Sequence, residues 1–241
     1  MFSDMRQGKD IIFIDPKGEF DSMIRFIDLC KLNNKKYQVF AANYNGSNKI
    51  DLNPVKSGEY FHIADRIFKS FNWSEEHYAI KCQQALKIAV KSLKNSGKAL
   101  SLESILGELR RLTKLSKSNE LYLDQKMIDG IVARIQNILD SEFGEMVGAK
   151  GSSFSELKSS GKCTYISLPV LLNLESSQAF GKILLSDLAH TVGSIHGGGL
   201  KDSEPFGVYV DELSSFLNEN YIQILNKARS AKVELTSAFQ S

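Results

Sequence analysis

The sequence has no long apolar segment. Runs such as Ile11–Ile14 and Leu168–Leu172 are far shorter than the roughly 20 residues that span a bilayer. Polar and charged residues follow Met1 closely, without the apolar stretch of a secretory signal peptide. We therefore expect no transmembrane helix within the sequence and no export through a signal peptide.

Cysteine, histidine and proline are also scarce. Three widely spaced cysteines without a CxxC motif argue against a disulfide framework and a zinc knuckle, and favour a reducing cytosol. The four histidines form no HExxH motif and no pair at metal-ligand spacing. With four prolines, 42% hydrophobic and 24% charged residues, the composition is typical of a folded protein with a sizeable core.

An excess of charge of one sign is lacking as well. The 30 basic and 28 acidic residues give a formal charge of +2, too near balance for a protein that binds nucleic acid by bulk charge. Any basic binding surface must therefore be local.

What the sequence does contain is a set of five strand-like segments. They are rich in Val, Ile, Tyr and Phe, and most are continuous apolar runs, as a strand buried on both faces of a parallel sheet requires. Helical patterns at Ser22–Leu32 and Ser177–Ile195 separate them. This alternation predicts an α/β fold with a mostly parallel sheet. The five segments are Asp10–Asp15, Lys36–Ala41, Cys163–Leu168, Phe206–Asp211 and Lys232–Phe239.

The alternation stops between Ser57 and Ala149, where the patterns are helical and no segment reads as a strand. Ser74 and Ser101 are predicted N-caps of two of these helices. Gly148–Ser160 is rich in Gly, Ser and Lys and is predicted to be a loop that returns to the sheet. We therefore expect an all-α insertion within the α/β fold. The predicted division is 1–56, 57–149 and 150–241.

Charge is uneven within this predicted insertion. Residues 81–117 contain nine basic and two acidic residues, whereas residues 118–150 contain six acidic and three basic ones. Two interpretations fit this pattern equally well. The charged residues either form solvated helix faces or form a surface that contacts nucleic-acid phosphates. The residues predicted to contact nucleic acid are Lys81, Arg110, Arg111 and Lys114.

The most informative segment begins at the strand Phe206–Asp211, which continues into Glu212. This is the Walker B pattern of P-loop ATPases, in which the aspartate holds the magnesium shell and the glutamate polarises the attacking water. Arg229 lies shortly before the next predicted strand and can reach the phosphates of a neighbouring subunit. Gln240, at the tip of that strand, can sense the γ-phosphate.

A second segment carries Asp15, Lys17 and Glu19 directly after the first predicted strand. One interpretation is a strand followed by a Pro-Lys-Gly turn. Another is part of the acidic site of a metal-dependent nuclease, which needs a further carboxylate that the sequence does not identify.

These two segments belong to a longer series of ordered motifs. The series consists of Ile14–Glu19, Asp51–Pro54, Tyr165–Pro169, Leu185–Leu188, Val210–Glu212, Ala228–Ser230 and Phe239–Ser241. In this order and spacing, the chain resembles the type IV secretion coupling proteins of the TraD and TraG group over nearly its whole length. These are ATPases that feed conjugating DNA into a secretion channel.

The resemblance implies a RecA-like motor domain with an inserted all-α domain, which uses ATP and Mg²⁺. It places Asp15, Lys17 and Asp211 at the nucleotide, and gives Glu212, Arg229 and Gln240 catalytic roles. It also implies a homo-hexameric ring on DNA at the cytoplasmic face of the bacterial inner membrane. The relaxase or relaxosome and the secretion channel are the expected protein partners.

One departure from the family is large, since the sequence contains no G-x-x-x-x-G-K-[ST] loop. In the family this phosphate-binding loop precedes the strand that ends at Asp15. We therefore expect the chain to be a fragment without that loop and without the membrane anchor, and to be inactive alone. A degenerate paralogue that serves as a scaffold for relaxosome or channel proteins, and a related FtsK- or HerA-type DNA translocase, remain alternatives.

Overall fold

Continuous apolar runs form the sheet of this protein. The structure is a computed structural model that describes residues 1–197, 205–212, 216 and 232–237. Five strands, all parallel, are hydrogen-bonded in the order β2-β3-β1-β4-β5. Each lies within a segment predicted from the sequence, and the expected α/β class with a parallel sheet is confirmed. The strands are β1 (Asp10–Asp15), β2 (Tyr37–Phe40), β3 (Cys163–Ser167), β4 (Phe206–Val210) and β5 (Val233–Ser237).

Eight α-helices are present among the described residues, and none of them is both long and apolar enough to cross a membrane. Ser101 caps its helix as predicted, because its side chain accepts from Ser104 N and Ser104 Oγ accepts from Ser101 N. The predicted cap at Ser74 is wrong, since that helix begins at Glu76 after Glu75. The helices are α1 (Phe2–Arg6), α2 (Phe20–Leu32), α3 (Tyr60–Phe68), α4 (Glu76–Asn95), α5 (Leu102–Thr113), α6 (Gln125–Leu139), α7 (Phe154–Ser159) and α8 (Leu174–His196).

The prediction that Gly148–Ser160 is only a loop is also wrong, because α7 lies inside it. Glu156 Oε2 accepts a hydrogen bond from Ser153 N at 2.8 Å, which satisfies a free donor at the start of the helix. Phe154 and Leu157 are buried. A capping pair and two apolar side chains thus override a composition that is typical of loops.

The sheet carries a different apolar cluster on each face. On one face, α2 packs Phe26 and Cys30 against the strand residues Cys163 and Tyr165. On the other face, strand residues such as Ile14 join a larger cluster that includes side chains of α3–α8. The sheet is therefore covered on both sides, which explains why β3 is buried at all five positions.

The segment before helices α3–α6 pairs with the segment after them. Leu52 forms parallel bridges with both Val147 and Ser152, and Asn53 N donates to Ser152 O. The larger apolar cluster runs without a break from the strands into these helices. The division into 1–56, 57–149 and 150–241 therefore stays a prediction.

A buried ion pair connects the helical segment to α8. Arg66 on α3 is 4% exposed, Asp187 on α8 is fully buried, and Arg66 Nη1 lies 2.8 Å from Asp187 Oδ1. Asp187 Oδ2 accepts from Phe154 N, the first amide of α7, at 2.7 Å, and Arg66 Nη1 donates to Pro54 O. Burial raises the pKa of Asp187 to about 6, and Arg66 opposes that rise. One carboxylate thus links α3, α7 and α8.

We expect Asp187→Asn to lower the free energy of unfolding by about 3–5 kcal/mol, because it leaves the buried Arg66 without a charged partner. The measurement is urea denaturation followed by circular dichroism. Asp28→Asn is the matched control, since Asp28 pairs with Lys31 at 3.6 Å with both side chains about 60% exposed. That control should change stability by less than about 1 kcal/mol. Equal urea midpoints for the two variants would contradict this role of Asp187.

Candidate functional site

The carboxyl ends of β1, β3 and β4 lie side by side at one edge of the sheet, because all three strands are parallel and β1 lies between the other two. β3 and β2 lie on one side of β1, and β4 and β5 lie on the other. In open α/β sheets, ligands bind at the carboxyl edge where the order of strands diverges in this way. The motifs that end β1 and β4 therefore meet at the expected place.

Asp15 ends β1 and is almost completely buried. Its Oδ1 accepts from Lys17 N at 2.8 Å, and its Oδ2 accepts from the Tyr165 hydroxyl of β3. Burial, followed by the charge of Asp15, raises the pKa of Tyr165, so the phenol keeps its proton and remains a donor. Asp15 therefore connects the loop that begins at Pro16 to β3, through Lys17 N and the Tyr165 hydroxyl.

Gly18 completes this loop in a conformation that glycine alone adopts readily, with φ of +65°. A Cβ at this position would lie 2.8 Å from Pro169 Cβ and 3.0 Å from Ser167 Oγ. Val170 N also donates to Pro16 O at 2.8 Å. The loop after β1 is thus seated directly on the loop after β3.

Lys17 projects from this loop towards β4. Its Nζ lies 3.8 Å from Asp211 Oδ2, and the two side chains are 29% and 32% exposed. A backbone hydrogen bond joins the ends of β1 and β4 at the same place, since Asp211 N donates to Ile14 O at 3.1 Å. Asp15, Lys17 and Asp211 therefore share one edge of the sheet, as the ATPase interpretation requires.

Glu212 follows with a positive φ of +43°, which is uncommon for a residue other than glycine. Its amide donates to Asp211 Oδ1 at 3.0 Å. Such backbone conformations cost about 1–3 kcal/mol and occur often at functional sites. The turn leaves Asp211 Oδ2 facing Lys17 and keeps the Glu212 side chain partly exposed.

Phe216 follows Glu212 in the sequence and is fully buried. It packs on α8 at Gly181, where a Cβ would come within 2.4 Å of the Phe216 ring. The absence of a side chain at position 181 is therefore what admits the phenylalanine. Arg229 and Gln240, the other two residues predicted to be catalytic, lie outside the described residues.

The nuclease interpretation receives no support from these contacts. Asp15 is occupied by Lys17 N and Tyr165, whereas Glu19 is exposed and precedes α2 as its N-cap residue. Within the ranges that the structure describes, no group of three His, Cys, Asp or Glu side chains is arranged to hold a metal ion.

Arg111 is already paired within its own helix. Its Nε and Nη2 donate to the two carboxylate oxygens of Glu108 at 2.8 and 2.7 Å, and Ser92 Oγ donates to Glu108 Oε1. The hydrogen bonds from Arg111 lower the pKa of Glu108. Arg111 therefore does not present a free charge to a phosphate.

The other three predicted contact residues have no acidic partner among the described residues. Arg110 is exposed on α5 and donates to Gln136 Oε1 at 3.0 Å. Lys114 is exposed at the end of the same helix, and Lys81 is partly exposed on α4. Arg110 and Lys114 are thus the strongest candidates for contact with an anion.

Sequence reasoning missed the residues that hold the site from behind. Tyr165 and Asp187 lie within recognised motifs, but sequence reasoning gave neither a role. In the structure, Tyr165 donates to Asp15, and Asp187 connects α7 and α8 to Arg66. An aromatic hydroxyl or a carboxylate inside an otherwise apolar segment is the signal that could have identified them, since such groups need a partner when buried.

Solved structures similar in fold support this description. No protein-family model and no curated protein sequence matches the chain. The bacterial conjugative coupling protein TrwBΔN70 in its unbound form matches with a TM-score of 0.64 at 13% identity, over 100% of this chain and 57% of that one. The complex of plasmid coupling protein TrwB with ADP and Mg²⁺ matches with a TM-score of 0.53 at 14% identity, over 100% and 65%.

VirB4 of Thermoanaerobacter pseudethanolicus matches with a TM-score of 0.59 at 12% identity, over 99% of this chain and 64% of that one. The chain therefore spans less than two thirds of the length of these proteins. At such identities the likeness shows the fold alone. The predicted resemblance to conjugative coupling proteins and the RecA-like fold class are confirmed at that level.

We expect Gly18→Ala to destabilise the protein more than Gly161→Ala, by about 1–3 kcal/mol in the free energy of unfolding. Both glycines have φ near +65°, so both variants carry the same backbone strain. No atom lies within 4 Å of a Cβ at position 161, whereas Pro169 blocks one at position 18. Urea denaturation of the two variants measures the difference. Equal losses would show that the loops after β1 and β3 are not closely seated.

Proposed function

We propose that the chain is the part of a DNA-translocating ATPase, of the conjugative coupling kind, that completes the nucleotide site behind the phosphate-binding loop. The observation that carries this proposal is the placement of Lys17, Asp211 and Glu212 at one carboxyl edge of a parallel sheet. A cation for phosphate, a carboxylate for magnesium and a second carboxylate for water are the groups that phosphoryl transfer needs there.

The residues at this edge fit a magnesium ion. Mg²⁺ takes oxygen ligands, keeps several waters and commonly uses one or two carboxylates together with substrate phosphates. Asp211 offers a partly exposed carboxylate, whereas the oxygens of Asp15 are both occupied. Asp211 is therefore the residue that would hold the ion through its water shell. When bound, the ion neutralises charge on the phosphates.

Each remaining side chain has a separate task in this proposal. Glu212 polarises the attacking water as general base, and Lys17 faces the nucleotide from the loop that Asp15 fixes. Arg229 of a neighbouring subunit and Gln240 would complete the site in a homo-hexameric ring, roles that rest on the family resemblance alone.

The cellular setting belongs to the same proposal. One fold relative is described as a conjugative coupling protein, and its complex with ADP and Mg²⁺ indicates the nucleotide and metal to be tested here. We propose that the chain works at the cytoplasmic face of the inner membrane, between a relaxase or relaxosome and a type IV secretion channel, with DNA as the transported substrate.

A second candidate function is an inactive scaffold for relaxosome or channel proteins. The 241 residues contain no G-x-x-x-x-G-K-[ST] motif, so this segment does not itself supply the phosphate-binding loop. The DNA upstream of the Met1 codon distinguishes the two candidates, since an in-frame phosphate-binding loop favours the motor and a ribosome-binding site at Met1 favours the scaffold.

For the motor, we expect the 241-residue chain alone to show no ATP turnover above background. In a form that carries an in-frame phosphate-binding loop, Glu212→Gln should lower kcat by at least about 100-fold, because a general base is lost, and leave nucleotide affinity nearly unchanged. Glu19→Gln is the matched control at the same edge and should keep most of the activity. Steady-state ATPase assays and nucleotide titrations give both quantities. A Glu212→Gln enzyme with normal kcat would remove Glu212 from the mechanism.

We also expect the chain to bind DNA through Arg110 and Lys114, with an affinity that falls steeply as salt concentration rises. Arg110→Glu combined with Lys114→Glu should reduce the slope of log K against log salt by about 1–2 for duplex DNA. Lys31→Glu with Lys36→Glu is the control, since it changes net charge equally at exposed positions near the end of α2. Fluorescence anisotropy with single- and double-stranded DNA measures the slopes. If both double variants behave like wild type, this surface does not bind DNA.

A further inference from the structure

Lys17 contacts Asp211, the carboxylate that would hold the metal ion in the proposed function. Its Nζ is 3.8 Å from Asp211 Oδ2, and in the described part of the chain no other basic side chain lies within 4.0 Å of that carboxylate. Asp211 Oδ1 is already engaged by the Glu212 amide. The other carboxylate oxygen, Oδ2, faces the ammonium group of Lys17.

The backbone of Lys17 is held rigidly although its side chain is partly exposed. The amide of Lys17 donates to the buried Asp15, whose other oxygen accepts from Tyr165. Gly18, the next residue, is wedged against Pro169 and Ser167. The fold thus fixes the point from which the lysine side chain extends and leaves its ammonium group free to exchange one partner for another.

The contact itself contributes little to folding. Ion pairs that are long and exposed to this degree add little to stability, because water screens them and two flexible side chains must be ordered. In contrast, Asp15 and Asp187 are buried, and each contacts a backbone amide and a side chain. A weak contact held at a functional edge can be broken by a ligand at small cost.

We propose that Lys17 is the resident counter-cation of Asp211 and that it opposes the binding of a divalent cation in the absence of nucleotide. This inference rests on the proposed function and extends it. An ammonium about 4 Å away both neutralises the carboxylate and repels a doubly charged ion, even at a dielectric constant near that of water. A phosphate group supplies the ammonium with another anionic partner, so nucleotide and metal bind together more favourably than metal alone.

The test measures binding of Mn²⁺ alone to the 241-residue chain by electron paramagnetic resonance at fixed ionic strength, with no nucleotide present. Lys17→Met should bind Mn²⁺ at least about tenfold more tightly than wild type. Lys17→Arg keeps the charge and should bind like wild type. Circular dichroism confirms that each variant is folded.

Two further variants define the site. Lys31→Met frees Asp28 of its lysine in an exposed pair and should leave Mn²⁺ affinity unchanged, which shows that freeing any aspartate is not sufficient. Asp211→Asn combined with Lys17→Met should abolish the gain. Mg²⁺ should displace Mn²⁺ from Lys17→Met, as expected for a site with oxygen ligands.

The outcomes separate this inference from the proposed function. If Lys17→Met binds Mn²⁺ no more tightly than wild type while Asp211→Asn weakens binding, the inference is overturned and Asp211 remains a metal ligand. A gain that persists in the double variant means that Asp211 does not hold the metal, which overturns both. A similar gain in Lys17→Arg would show that the charge of Lys17 is not the cause.

Discussion

The placement of the helical segment depends on the burial of one carboxylate, Asp187. A charge without water is tolerated only when partners surround it, and here Arg66 of α3 and the first amide of α7 must both reach it. Pro54 O, just before the helices begin, accepts from the same arginine. The pair therefore fixes where α3 leaves the sheet.

The carboxylates of the protein divide into two groups by exposure. Asp15 and Asp187 are buried, and each has backbone and side-chain partners that it positions. Asp211 and Glu212 are partly exposed at the carboxyl edge of the sheet, and among the described residues the side chain of Asp211 contacts one amide and one lysine. Buried carboxylates build the scaffold, because losing a partner there is costly, whereas the exposed ones can exchange partners. That division is what a site for a charged ligand needs.

Fewer basic side chains of the helical segment are free to bind an anion than the number of basic residues indicates. Arg111 is held by a buried glutamate, and Lys87 and Lys94 pair with acids on or next to α3, Asp65 and Glu59. Arg111 and Glu108 pair within one helix, whereas the pairs of Lys87 and Lys94 join α4 to α3 or its N-cap and cannot be found by counting charges along the sequence. The basic stretch therefore offers fewer unpaired charges than its residue count indicates, and Arg110 and Lys114 are exposed without an acidic partner among the described residues.

The sequence by itself determined the elements whose signals are local. Segments rich in Val, Ile, Tyr and Phe located the five described strands, most of them as nearly continuous apolar runs that suit burial on both faces, and Ser101 marked the start of α5. The predictions for the start of α4 and for Gly148–Ser160 were wrong, although Ser153 and Glu156 form a local capping pair at the start of α7. Only the tertiary structure decided that Tyr165 serves Asp15, that Arg66 meets Asp187, and that Lys17 faces Asp211. Each of these pairs joins segments that are far apart in the chain, and all three arise from strand order and helix packing, which no local pattern encodes.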